Sequence, residues 1–309
     1  MNELEPIAAR VAEGREQFLA LVAGLRPELH RYCSRMAGSI ADGEDIVQET
    51  LARAYFVLPE LPTPPELRPW LFRIAHNRAL DHLRRYERRM SEPLAERPDV
   101  EEDLDGPESA LAREHALRAA VSRFLELAPA QRSCVILKDV LGHSLDEIAA
   151  LLGLSVQAVK AALHRGRVRL RDELANVAES AIRQASPLLA RYAALFNARD
   201  WDSVRAMLAD DVRLDLISRS QRAGHRDVGV YFTRYDAVFD WHLRPAWLEG
   251  VEVLAVYRDA AATRPDYFIE LRFDAGKIAL IRDFRYVPYV TQDAVFRFEK
   301  QVAEKQGSE

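Results

Sequence analysis

The sequence predicts a multidomain protein: two all-α helical modules followed by an α+β domain with a curved antiparallel sheet. Three observations carry that expectation. Apolar residues recur at helical spacing from the N-terminus to about Glu179. An acidic stretch, "DVEEDLDGPE" (Asp99 to Glu108), holds six acids and no base and splits that helical half. In the last third the apolar period changes to two in several segments. The expected boundaries are 1–90 for the first helical module, 91–110 for the acidic linker, 111–180 for the second helical module and 181–309 for the α+β domain.

The first module reads as helix from its apolar spacing: Phe18, Leu21, Val22, Leu25 and Leu29, then Ile46, Val47, Leu51, Ala54 and Tyr55. Asp42 is the expected N-cap of the helix holding "EDIVQETLARAY". Four prolines in "PELPTPP" (Pro59 to Pro65) cannot sit inside a helix and mark a loop. A helix then resumes near Leu67 and runs to about Arg89.

In the second module, "LAPAQ" places Pro129 in the first turn of a helix, and "CVILKDVLG" ends on Gly142 as a left-handed stop. Ser144 with Glu147 forms a capping box for "LDEIAALLG". Gly153 ends that helix and Ser155 caps the next, "VQAVKAALHRGR". Two helices joined by a short Gly-containing turn form a helix-turn-helix pattern. Val156, Val159, Leu163 and Leu170 make the buried stripe of the second helix, leaving Gln157, Lys160, Ala161, His164 and Arg165 outward. A narrow helix with donors in its first turns and cations nearby suits a DNA major groove.

The third module opens with helices in "LLARYAALFNARDWDSVRAMLADD" and turns to strands in "VRLDLI", "VEVLAVYR", "DYFIELRF" and "KIALIRDFRYV". "DAGK" (Asp274 to Lys277) is a hairpin turn.

Composition excludes several classes. Hydrophobic content of 49% and charged content of 29% fit a soluble globular chain, and no run approaches the roughly 18 apolar residues of a membrane span. "MNELEPIAARVAEGREQF" lacks the apolar core of a secretory signal, so a cytoplasmic location is expected. Cys33 and Cys134 read as two buried thiols. No metal-ligand spacing such as HExxH or paired CxxC occurs, and no metal or cofactor is expected. Net charge is −5, yet the bases cluster: five Arg between Arg78 and Arg89, and Lys160 with Arg165, Arg167, Arg169 and Arg171.

The segment from "LAPAQRSCVILKDVLGHSLDEIAALLGLSVQAVKAALHRGRVRLRDEL" resembles region 4 of the sigma-70 family, in its extracytoplasmic-function (ECF) group. "DGEDIVQETLARAY" followed by "RPWLFRIAHNRALDHLRR" resembles region 2 of the same group. The resemblance implies a transcription initiation factor with core RNA polymerase and promoter DNA as partners. It implies that Asp45, Gln48 and Glu49 dock on the clamp helices of the polymerase β′ subunit and that region 4 meets the β flap. Carboxylates sharing a helix face at i, i+3 and i+4 suit a basic partner. It further implies that the Pro-rich loop and Asn77, Arg78, Asp81, Arg84 and Arg85 read the −10 element, where a flipped base and single-stranded DNA meet a basic surface. Ser155, Gln157, Lys160, Ala161, His164, Arg165 and Arg167 would then lie at the −35 element. The family string carries Ser and Arg where this chain has Ala161 and Ala162, so two donors are missing.

The last third resembles the SnoaL-like branch of the nuclear transport factor 2-like superfamily, on "LLARYAALFNARDWDSVRAMLADDVRLDL" and "KIALIRDFRYVPYV". That resemblance implies a cone with an apolar pocket, lined from Tyr192, Phe196, Trp201, Asp215, Trp241 and Asp283, open to a small-molecule or protein ligand. Asp283, between Arg282 and Arg285, reads as a salt-bridged surface group, and no catalytic residue is expected. In fused members the extra domain regulates the sigma core in cis, although the fused-subgroup motifs "WLPEP" and "NPDKL" are absent here. Two other readings remain: a DNA-binding regulator that works without polymerase, and a ligand-sensing or enzymatic cone targeted by the helix-turn-helix.

Overall fold

The computed structural model describes residues 4–90, 121–175, 184–236, 241–259 and 261–298. The acidic linker lies outside the described residues. The chain divides into two compact units, Met1–Val177 and Ala178–Glu309.

The first unit is helical: α1 (Leu4–Val22), α2 (Arg26–Ala37), α3 (Ile40–Val57), α4 (Leu67–Met90), α5 (Pro129–Val135), α6 (Leu145–Leu152) and α7 (Val156–Ala175). Helix α3 starts earlier than Asp42. Its cap is Ser39, whose hydroxyl accepts from the Asp42 backbone N–H at 3.2 Å, because Ser39 rather than Asp42 has the extended backbone a cap needs. Gly38 ends α2 in the left-handed region at φ 72°, and a Cβ there would meet the Leu125 side chain. The Pro-rich segment after a short 3₁₀ turn (Leu58–Glu60) is irregular up to α4, as four prolines require.

The helices before and after the linker share one core. Leu29, Tyr32, Met36, Leu71 and Phe72 join Phe124, Val135, Ile136, Leu163 and Leu170 in a single buried cluster. Each such Leu or Phe contributes about 1.5–3 kcal/mol of burial. Polar groups cross the same junction. The buried Arg132 guanidinium donates to the carbonyls of Leu125 (3.1 Å), Leu127 (2.9 Å) and Met36 on α2. Tyr32 Oη lies 2.8 Å from His76 Nδ1 and donates to Ser133 Oγ at 3.2 Å. Burial lowers the His76 pKa to about 4, so the imidazole in this network is neutral.

The second unit packs α8 (Pro187–Asn197), α9 (Trp201–Ala206) and α10 (His225–Asp236) with a seven-stranded sheet. The strands are β1 (Leu208–Leu216), β2 (Ser220–Ala223), β3 (His242–Leu248), β4 (Val251–Tyr257), β5 (Tyr267–Asp274), β6 (Lys277–Asp283) and β7 (Phe296–Phe298), ordered β2-β1-β6-β5-β4-β3-β7. The expected antiparallel sheet holds for every pair but one. Strands β1 and β6 run parallel, because the chain leaves β1, builds β2 to β5 and returns beside it. Ala275 (φ 47°) and Gly276 (φ 80°) turn β5 into β6, as "DAGK" predicts. Strand β3 escaped the sequence reading because Pro245 interrupts its pattern. Pro245 sits opposite Leu254 of β4, while the β7 pairing is confined to Ala246–Leu248.

Candidate polymerase and promoter interface

The helix-turn-helix forms from its own local rules. Ser144 and Glu147 close the capping box: the Ser144 N–H donates to Glu147 Oε2 at 2.7 Å and the Glu147 N–H to Ser144 Oγ at 3.2 Å. The Ser144 N–H and the Ser144 hydroxyl, which donates to Glu147 Oε2 at 3.0 Å, hold the Glu147 carboxyl below its usual range. Gly153 takes φ 68°, Ser155 Oγ accepts from the Ala158 N–H at 3.1 Å, and α6 meets α7 at 102°. That angle is within the range of helix-turn-helix pairs.

Helix α7 buries Val159, Ala162, Leu163, Gly166 and Leu170, while Ser155, Gln157 and Ala158 are exposed and Lys160, Ala161, His164 and Arg165 are half-buried. Ala162 faces the core, so of the two family positions occupied by alanine here only Ala161 lies toward the outer face. Gly166 is required by packing: a Cβ would stand 2.6 Å from the Val135 side chain. Arg167 lies against the preceding element. Its guanidinium donates twice to the nearly buried Asp139, at 2.9 and 2.6 Å. Asp139 sits in a single π-turn, Ile136–Val140, that continues α5. A π-turn shifts register by one residue and re-aims a side chain. Here it carries the carboxylate that straps α7.

On α3, Ile46, Val47, Leu51 and Ala54 point into the core, leaving Glu49, Ala52, Arg53 and Phe56 exposed and Asp45 and Gln48 partly so. The Gln48 amide nitrogen is buried and has no partner among the described residues. On α4, Asn77, Arg84 and Arg85 are exposed, and Arg78 and Asp81 are half-buried. Asp81 collects Arg84 at 3.5 Å and Arg78 at 3.9 Å. Arg85 reaches across to Glu49 at 3.5 Å. The predicted polymerase face and the predicted −10 face are thus joined by an ion pair. Arg73 is also exposed and shares the α4 stripe of Asn77 and Arg84 at i, i+4 and i+11. Trp70 is half-buried against the core.

In the second unit the structure brings Tyr192, Phe196, Trp201, Trp241 and Asp283 together, all buried. It does not bring Asp215 there. Asp215 pairs in register with Arg282, while its neighbour Leu216 pairs with Asp283, so the two acids lie on opposite faces of the sheet. Asp283 is no surface group, contrary to the sequence expectation. It is fully buried, accepts from Tyr231 Oη at 2.6 Å and Tyr235 Oη at 3.3 Å, and takes the Arg285 N–H at 2.9 Å. Alternation explains it: Arg282 turns to the other face and pairs with Glu270 at 3.1 Å. Tyr267 Oη joins through Tyr235 at 3.1 Å. Burial raises the Asp283 carboxyl above its ordinary range, against the hydrogen bonds from Tyr231 and the Arg285 N–H. The Tyr192 hydroxyl and Trp241 Nε1 are buried without a partner among the described residues. No cluster of metal-ligating side chains, and no single helix long and apolar enough to cross a membrane, occurs among the described residues.

Comparison with known proteins agrees with this geometry. Residues 21–89 match the family of sigma-70 region 2, and residues 117–170 that of sigma-70 region 4. RNA polymerase sigma factor NccH of Alcaligenes xylosoxydans xylosoxydans is 31% identical over 172 residues, covering 54% of this chain and 91% of NccH. ECF RNA polymerase sigma factor SigG of Mycobacterium tuberculosis is 36% identical over 216 residues, covering 62% of this chain and 58% of SigG. The chain therefore spans less than two thirds of SigG. The crystal structure of the extracytoplasmic-function sigma factor SigJ of M. tuberculosis aligns over 86% of this chain and 95% of SigJ, at 23% identity and a TM-score of 0.36. The chain belongs to the sigma-70 family, in its ECF group.

Proposed function

We propose that the chain is an ECF-type initiation factor that binds core RNA polymerase, reads −35 and −10 promoter elements and starts transcription. The observation that carries this reading is the pairing, on one chain, of an acid-bearing α3 face beside a basic α4 face with a capped helix-turn-helix. A regulator acting without polymerase has no need of the α3–α4 faces. In this reading Asp45, Gln48 and Glu49 meet the β′ clamp helices, and region 4 meets the β flap. Asn77, Arg78, Asp81, Arg84 and Arg85 lie at the −10 element. Ser155, Gln157, Lys160, Ala161, His164 and Arg165 lie at the −35 element. Arg167 acts through Asp139 by fixing the tilt of α7. The test is transcription by core polymerase with the full chain on sheared genomic DNA, with 5′ ends mapped. Start sites sharing two upstream motifs are expected; absence of any chain-dependent start would sink the reading.

The shared core of the two sigma regions adds a control step. Elements centred at −10 and −35 lie about 85 Å apart, at roughly 3.4 Å per base pair. Helices packed in one core are about 8–10 Å apart. Reading both elements therefore requires the Arg132 and Tyr32–His76–Ser133 junction to part. Polymerase and DNA would drive this by binding the open state better. The second unit modulates that equilibrium in cis and is a binding rather than a catalytic unit. Its Tyr192 hydroxyl and Trp241 Nε1, buried without a hydrogen-bond partner among the described residues, favour a small-molecule ligand with a hydrogen-bonding group. Comparing transcription by the full chain with that by residues 1–177 tests the modulation. Equal output would remove the regulatory role.

A further inference from the structure

Helix α3 carries one residue that neither the acidic face nor the core explains. Phe56 is 69% exposed, the most exposed of the large hydrophobic side chains among the described residues. Ile40, Ile46, Val47 and Leu51 of the same helix are buried. Its position is not arbitrary. Asp45, Glu49, Ala52 and Phe56 stand at i, i+4, i+7 and i+11, within a stripe about 60° wide at 100° per residue. The stripe is acidic at its N-terminal end, small in the middle and aromatic at its C-terminal end. At 1.5 Å per residue, the ring lies about 10 Å beyond Glu49 and about 16 Å beyond Asp45.

The ring is also supported from one side. Tyr55 packs edge-on against it at 5.8 Å, and Tyr55 Oη donates to the Val11 carbonyl of α1 at 3.3 Å. Val11 is itself 56% exposed. Helix α1 begins well before the region 2 match at residue 21, so this support is an addition to that region. An exposed aromatic held by a packed neighbour, at the end of a charged stripe, has the composition of an interface anchor.

We infer that Phe56 is the apolar anchor of the polymerase-docking face. The partner is a helical surface presenting cations opposite Asp45 and Glu49, with an apolar socket about two turns further along. Charge complementarity and continuity with the acidic stripe fix the occupant as core polymerase, so the inference rests on the reading proposed above. In the free chain Glu49 is shared with Arg85 at 3.5 Å, and the carboxylate changes partners on docking. Phe56 needs no such exchange, because it is presented to solvent.

The experiment is equilibrium binding of the full chain to core polymerase by fluorescence anisotropy, at low and at physiological salt. The variants are Phe56→Ala, Phe56→Leu and Glu49→Arg. Circular dichroism and light scattering are recorded for each. Phe56→Ala is expected to weaken binding about tenfold or more at both salts, with Phe56→Leu recovering most of it. Glu49→Arg is expected to weaken binding most at low salt, as a screened contact should. Parent-like binding by Phe56→Ala beside a weakened Glu49→Arg overturns the anchor and leaves the polymerase reading standing. Parent-like binding by both removes α3 as the docking face and overturns the anchor, whereas a folded parent chain that does not bind core polymerase defeats the polymerase reading itself. A parent chain that self-associates and a Phe56→Ala chain that does not would assign the ring to a second copy and overturn the proposal.

Discussion

Two buried titratable residues give the two units opposite responses to pH. Burial raises Asp283 above its ordinary value of 3.8, so its folded form holds the proton more tightly than its unfolded form. The stability it contributes is fully present below about pH 4 and is lost as pH rises through the raised value. Asp283→Asn should flatten that slope for residues 184–298, read by hydrogen exchange of their amides at several pH values. An unchanged slope would mean the carboxyl is not the titrating group. His76 runs the other way. Its pKa falls from 6.5 to about 4, so its contribution is present above 6.5 and is lost as pH falls through about 4. Protection of the α2–α5 junction should drop across that window in the parent and not in His76→Gln.

The elements of the helix-turn-helix follow from short-range chemistry, which is why the sequence exposed them. Ser144, Glu147, Gly153 and Ser155 each act within four residues. Removing the Ser144 hydroxyl with Ser144→Ala should cost about 1 kcal/mol in thermal unfolding. Lys160→Ala and Arg165→Ala should each weaken −35 binding by about 1–3 kcal/mol in a filter-binding assay. Promoter binding unchanged in both would remove α7 from recognition. What the sequence left hidden depends on long-range partners. Asp139 looks like any helix carboxylate until the π-turn aims it at Arg167, 28 positions away. Asp283 looked exposed beside two arginines. Only the β6 register and α10, with Tyr231 and Tyr235, place it inside. Helix α10 itself went unread between the first strands, and Pro245 masked β3.

At the scale of the molecule, the new element is the single core that unites the two sigma regions. Helical periodicity marked both sets of apolar faces but could not say that they face one another. Arg132 is the residue most committed to that arrangement. Arg132→Ala would leave three carbonyls, two of them buried, short of a donor and should cost about 2–4 kcal/mol, read as a lower melting temperature. In the same variant a fluorophore pair on α1 and α7 should report a wider mean separation. The central claim, that this chain serves polymerase rather than DNA alone, is tested most directly by gel filtration of the full chain with core polymerase. Parent chain should co-elute at micromolar concentration, and Asp45→Arg should elute alone while keeping its circular dichroism. A folded parent chain that elutes apart from core polymerase, yet still binds duplex DNA, would contradict it.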